Sequence, residues 1–154
     1  IDLKAADSVM RLIDDAVAKG ARVLLGGRRS ALGGSYIEPT ILADVTAEMD
    51  LFHCEIFGPV APLFRFRAEA EAIAIANDTP FGLASYFYSR DIGRIWRVAE
   101  GVEYGIVGAN EGLISNEMAP FGGVKESGDG REGSKYGLDD YLEIKYRFLG
   151  GIDR

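Results

Sequence analysis

The chain has 154 residues, 47% apolar and 27% charged, the profile of a folded globular protein rather than a disordered or fibrous one. A formal charge of −7 argues against nucleic acid or an anionic membrane surface as partner, because both select basic patches. No apolar run approaches the roughly 20 residues that span a bilayer, and the single cysteine, Cys54, excludes an internal disulfide or a multi-cysteine metal cluster and leads us to expect a reducing, cytoplasmic setting.

Residues 3–19 place Val9, Leu12, Ile13, Ala16 and Val17 on one helical face, and Gly20 stands where a left-handed cap costs little. A short strand is predicted over 22–25, then a loop with Gly33-Gly34. A second strand over 36–45 is interrupted by Pro39, which marks an edge or a break. A strand over 60–66 and an alanine-dense helix over 68–76 follow. A strand is predicted over 83–88, then a helix over 92–99 capped by Ser89 or Asp91. After a buried strand at 104–107 comes a long loop over 108–130, then a short helix over 131–138. Residues 141–148 alternate large apolar and polar side chains with period two, the clearest strand pattern in the chain. Strands alternating with helices predict an α/β fold with a largely parallel sheet, read as one domain. The chain opens on Ile1, with no initiator methionine and no leader pattern, and is expected to be a piece of a longer protein.

Residues 120–137 hold six glycines laced with charge. Such a run suits neither helix nor strand, since each glycine costs backbone entropy in a regular element. Gly128 to Lys135 resembles a phosphate-binding P-loop only superficially: Ser134 precedes Lys135, the reverse of the required order, and no strand leads into it. His53-Cys54 is the one thiol–imidazole couple, but neighbours in extended backbone face opposite ways, so Cys54 reads as a small buried hydrophobe rather than a nucleophile. A lone His and a lone Cys make a transition-metal site unexpected.

Glu55 and Phe57, two apart and ahead of a Gly58-Pro59 turn, share one face of extended backbone. A carboxylate can accept two ribose hydroxyls and a ring can pack on a flat heterocycle. The alternative is a surface glutamate beside a core phenylalanine. Ser115 and Asn116 can grip a substrate carbonyl or carboxylate, or form an ordinary turn on their own backbone.

Three stretches in this order resemble the C-terminal part of the aldehyde dehydrogenase superfamily: Glu55-Ile-Phe-Gly-Pro-Val60, Ala76-Asn-Asp-Thr-Pro-Phe-Gly-Leu-Ala84, and Pro120-Phe-Gly-Gly-Val-Lys-Glu-Ser-Gly128 with Gly130-Arg-Glu-Gly133. Glu103 to Gly108, Gly112 to Asn116 and Arg131 to Tyr146 look most like the succinate-semialdehyde dehydrogenase branch. The resemblance covers essentially the whole chain. It implies a partial catalytic domain over 1–138 and an oligomerisation strand and tail over 139–154, which would build homodimers or homotetramers. It further implies NAD or NADP as cofactor, with Glu55 on the nicotinamide ribose and Phe57 beside the nicotinamide. Ser115 would meet the distal carboxylate of succinate semialdehyde and Phe121 would line the substrate tunnel. The family's nucleophilic cysteine, general-base glutamate and carboxylate-binding arginines would lie upstream of Ile1, so the chain alone is expected to be inactive. Cys54 does not match the nucleophile, standing where a glutamate is common. Asp129 stands where the branch usually has Leu, which puts the local packing of the loop in question. A stand-alone binding or assembly module, glutarate semialdehyde as substrate, or broader aldehyde specificity remain the alternatives.

Overall fold

The computed structural model of the chain describes residues 2–152. It divides into two compact units, Ile1–Thr79 and Pro80–Arg154.

In the first unit α1, Leu3–Ala18, begins at Asp2, whose side chain accepts the Ala5 N–H at 2.7 Å. It ends in a Schellman motif: Ala21 N–H donates to Ala16 O at 2.9 Å and Gly20 N–H to Val17 O at 3.0 Å, with Gly20 at φ +105°. Of the predicted face, Val9, Leu12, Ile13 and Ala16 are buried with Ala6, whereas Val17 is exposed. They pack on a three-stranded sheet of order β1 (Arg22–Leu25), β2 (Thr40–Ala43), β3 (Val60–Pro62), antiparallel between the first pair and parallel between the second. The central strand carries the fully buried Leu42, and Val45, Met49 and Leu51 complete the core.

The predicted 36–45 strand is broken at Pro39, which has no N–H to give a ladder: before it Ile37 forms an isolated antiparallel bridge with Arg29, and β2 starts at Thr40, whose N–H donates to Pro59 O at 2.8 Å. The 60–66 strand likewise ends at Pro62. A one-turn helix, α2 (Asp50–His53), was not foreseen. Phe52 sets it edge-on against Phe64, ring centroids 5.4 Å apart. The unit closes with α3, Glu69–Asn77, within a residue of its predicted position.

An ionic cluster ties α2 to α1. Asp15 accepts the Asp50 N–H at 2.9 Å and the Lys19 ammonium at 2.8 Å, and Asp50 receives Lys19 and Arg11, each at 3.0 Å. The Lys19 ammonium, and then the Asp50 N–H, hold the Asp15 carboxyl below the usual carboxylate range; Lys19 and then Arg11 do the same to Asp50. Groups depressed in the folded state stabilise it above their unfolded pKa and lose that contribution as pH falls through the folded value. The unfolding midpoint is therefore expected to hold through neutral pH and to decline below about pH 4. Asp50→Asn should make that decline shallower, as thermal melts across pH would record. Lys19, raised mainly by Asp15, contributes below its unfolded pKa and stops contributing only in strong alkali.

In the second unit β4 (Ala84–Phe87) pairs in parallel with β5 (Ile106–Ala109) across α4 (Ile92–Gly101). Of the two candidate caps Asp91 serves, accepting the Arg94 N–H at 2.8 Å, while Ser89 N–H and C=O are both bonded by the Asn110 amide at 2.8 Å. Among the described residues of this unit the buried ones are Gly82, Gly108 and Gly123, each packed closely by both side-chain and backbone atoms of its neighbours. The helix predicted over 131–138 is a 3₁₀ segment at Tyr136–Tyr141.

The clearest strand pattern, 141–148, forms no ladder among the described residues; Leu142, Ile144, Tyr146 and Phe148 are all exposed. Alternation states which face a strand would bury, but a strand exists only when a second backbone takes its hydrogen bonds. With two of three strand pairings parallel, the α/β expectation holds. Among the described residues no helix is long and apolar enough to cross a membrane.

Candidate cofactor and substrate site

In the first unit the site grows from the α2–β3 connection. The helix ends at His53, whose Nε2 lies 3.0 Å from Ala47 O, so the imidazole serves a loop carbonyl. His53 is therefore helical rather than extended, and Cys54 is exposed, not the buried hydrophobe expected. Glu55 is exposed in irregular backbone.

Phe57 departs from the extended geometry that placed it on the face of Glu55: its φ is +50° and its ring is 71% exposed. A bulky residue in the left-handed region persists only where its surroundings impose it. They do so here. A Cβ on Gly58 would lie 2.6 Å from Val9 Cγ2 of α1, Gly58 O accepts the Val60 N–H at 2.8 Å, and Pro59 O is taken by β2. The result is an outward-facing ring rather than a core one. Beside it an open cavity of about 200 Å³ is lined by Ala5, Ala6, Val9, Tyr36, Phe57 and Pro59, among others. An exposed ring at a cavity suits a flat heterocycle, and Glu55, two residues before it, leaves an accessible carboxylate that suits a ribose.

In the second unit Ser115 is exposed just ahead of a turn in which Asn116 Oδ1 accepts the Met118 N–H at 2.8 Å. Asn116 is thus an ordinary turn residue. Upstream, Glu111 accepts the Leu113 and Gly112 N–H groups, which hold its carboxyl below the usual range.

The glycine-rich loop is fastened throughout. Phe121 and Glu132 exchange both backbone hydrogen bonds, at 2.9 and 2.7 Å. Gly82 N–H donates to Ser127 Oγ at 3.0 Å and Gly82 O accepts from Val124 and Gly105. Lys125 pairs with Glu103 at 2.7 Å. Arg131 Nη1 reaches three carbonyls, those of Gly123, Gly130 and Asp129, at 2.7, 2.9 and 3.1 Å. Asp129, the position in question, enters the packing through its carbonyl and leaves its side chain exposed.

A 3₁₀ turn at Lys125–Ser127, not a strand, leads into Gly128, so the P-loop reading has no support in the fold. Sequence reading missed the structural part of Arg131, whose only signal was a cation embedded among glycines. Among the described residues no three His, Cys, Asp or Glu side chains are placed to hold a metal ion.

A family model for the aldehyde dehydrogenase family matches residues 1–146, and the chain belongs to that family. It is 64% identical over its full length to 3-sulfolactaldehyde dehydrogenase of Pseudomonas putida, covering 32% of that protein. It is 61% identical over 150 residues, 97% of its length, to the NADP⁺-dependent succinate-semialdehyde dehydrogenase of Escherichia coli, covering 31% of it. The crystal structure of succinate-semialdehyde dehydrogenase from Burkholderia pseudomallei superposes with a TM-score of 0.90 at 61% identity, over 94% of this chain and 30% of that one. The chain thus spans about a third of the length of the relatives it matches.

Proposed function

We propose that this chain is the C-terminal third of an NAD(P)-dependent semialdehyde dehydrogenase that oxidises succinate semialdehyde to succinate. The observation that carries the reading is the α2–β3 connection, where Phe57, with a positive φ, turns its exposed ring to a cavity and Glu55 stands exposed two residues before it, in a chain of this family. Glu55 accepts the two hydroxyls of the nicotinamide ribose and Phe57 flanks the nicotinamide, so that the ring is held at one angle to the aldehyde. The bound dinucleotide supplies the hydride acceptor. Ser115 donates to the distal carboxylate of the substrate and Phe121 lines the path of its carbon chain. Residues 139–154, whose apolar side chains are exposed, pair with a second subunit to build the oligomer.

A second reading keeps the reaction and changes the aldehyde. The P. putida relative is named for an aldehyde bearing a sulfonate, another acid that the Ser115 hydroxyl could meet.

Glu55→Gln in the full-length protein removes the charge from a carboxylate that accepts two hydroxyls. Charge-assisted hydrogen bonds contribute about 1.5–3 kcal/mol each, so KM for NAD(P) should rise at least about tenfold. KM for the aldehyde should stay within about twofold, since only cofactor binding is touched. Steady-state kinetics with each substrate varied in turn decide it, and an unchanged KM for the dinucleotide removes Glu55 from the site.

A further inference from the structure

The structure assigns Arg131 a positioning role: it holds Phe121 in place against the aldehyde by gathering the glycine-rich loop onto its side chain. The inference rests on the reading of Phe121 as a substrate-facing residue.

A loop with six glycines over 120–137 has no intrinsic reason to follow one path. Its path here converges on a single group. Nη1 of Arg131 has two hydrogens and three acceptors, so one of them is shared among the carbonyls of Gly123, Gly130 and Asp129. Gly123 lies before the 3₁₀ turn at Lys125–Ser127 and the other two lie after it, so the guanidinium closes the loop across its neck. The stem of the same side chain passes close to Gly122, where a Cβ would stand 2.8 Å from Arg131 Cδ and 2.2 Å from Gly130 O.

Phe121 is therefore confined on two sides by neighbouring residues of one segment. Glu132 takes both of its backbone hydrogen bonds, and Arg131 bears on the residue that follows it. The segment is itself anchored, since Arg131 N–H donates to Asp140 Oδ2 at 3.0 Å. A lysine could supply charge but not the branched, planar head that reaches several carbonyls at once.

The test uses the full-length enzyme with Arg131→Met, Arg131→Lys, Asp140→Ala, Phe121→Ala and the Arg131→Met/Phe121→Ala double variant. Arg131→Met should raise KM for succinate semialdehyde by about tenfold, with KM for NAD(P) within about twofold. Arg131→Lys should fall between it and the parent. Asp140→Ala, which loosens the anchor without touching the guanidinium, should shift KM for the aldehyde in the same direction by a smaller factor. In the Phe121→Ala background the further effect of Arg131→Met should vanish, because the residue being positioned is gone.

Two results would overturn the inference: equal effects of Arg131→Met on both substrates, or an Arg131 effect that survives intact without Phe121. Should Arg131→Met not fold, Asp140→Ala decides alone, and unchanged aldehyde kinetics in it count against the role. Phe121→Ala with parental kinetics would instead remove Phe121 from the substrate path, a failure of the functional reading and not of the loop geometry.

Discussion

Gly105→Ala is expected to be the most damaging single-methyl substitution in the second unit. A Cβ at that position would stand 2.0 Å from Gly122 O, 2.9 Å from Gly122 C and 2.9 Å from Gly123 Cα. All three atoms are backbone, so no side chain can rotate out of the way. Relief requires β5 to part from the glycine-rich loop, which would also strain the Gly105 N–H bond to Gly82 O, 3.0 Å long as it stands. Overpacking of this kind costs about 3 kcal/mol where it cannot relax. In urea titrations of the full-length protein the unfolding midpoint should fall accordingly, and aldehyde turnover should fall with it because Gly122 adjoins Phe121. Gly112→Ala is the control: its Cβ would meet nothing nearer than Tyr88 Oη at 3.8 Å, and stability should move by less than about 0.5 kcal/mol.

Leu42→Ala should destabilise the first unit by about 2–5 kcal/mol. Leu42 is 0% exposed at the centre of β2, paired with β1 on one side and β3 on the other, within the cluster formed by Leu12, Ile13, Val45 and Met49. Strands hydrogen-bonded on both sides cannot collapse into the space a lost isobutyl group leaves, which places the cost in the upper part of that range. Leu32→Ala, removing the same atoms from a side chain that is 82% exposed, should change the midpoint little. A Leu42→Ala protein that melts with its parent would mean that the sheet is not where the first unit's stability resides.

The elements legible in the sequence were those whose signals are local. The period of α1 and its closing Gly20, the Asp91 cap of α4 and the short strand at Arg22–Leu25 all depend on residues within a few positions of one another. What escaped depends on distant partners. The start of α2 is set by Asp15, 35 positions away, which accepts the Asp50 N–H. Residues 141–148 have the alternation of a strand without a ladder, because pairing belongs to two backbones and only one is written in a sequence.

The candidate site divides the same way. Glu55, Phe57, Ser115 and Phe121 were singled out by motif and resemblance; all four are exposed, the first three on irregular backbone and Phe121 in an isolated bridge to Glu132. The left-handed turn at Phe57 was not legible, and neither was the close approach of the following Gly58 to Val9 on a different element. Nor was the convergence of three carbonyls on Arg131, since carbonyls carry no mark in the sequence.

The buried glycines of the second unit have a consequence for how the protein can vary. Where an interior is filled by leucine and isoleucine, substitutions do harm by subtraction, and a slightly smaller residue leaves a gap that neighbours partly fill. Where Gly82, Gly108 and Gly123 form the interior, the harm comes by addition, and the smallest step available is already a whole methyl group. The two halves of this chain should therefore drift under opposite rules: the first accepts exchanges among large aliphatic residues of like volume, and the second leaves its glycines with no neighbour in chemical space to move to.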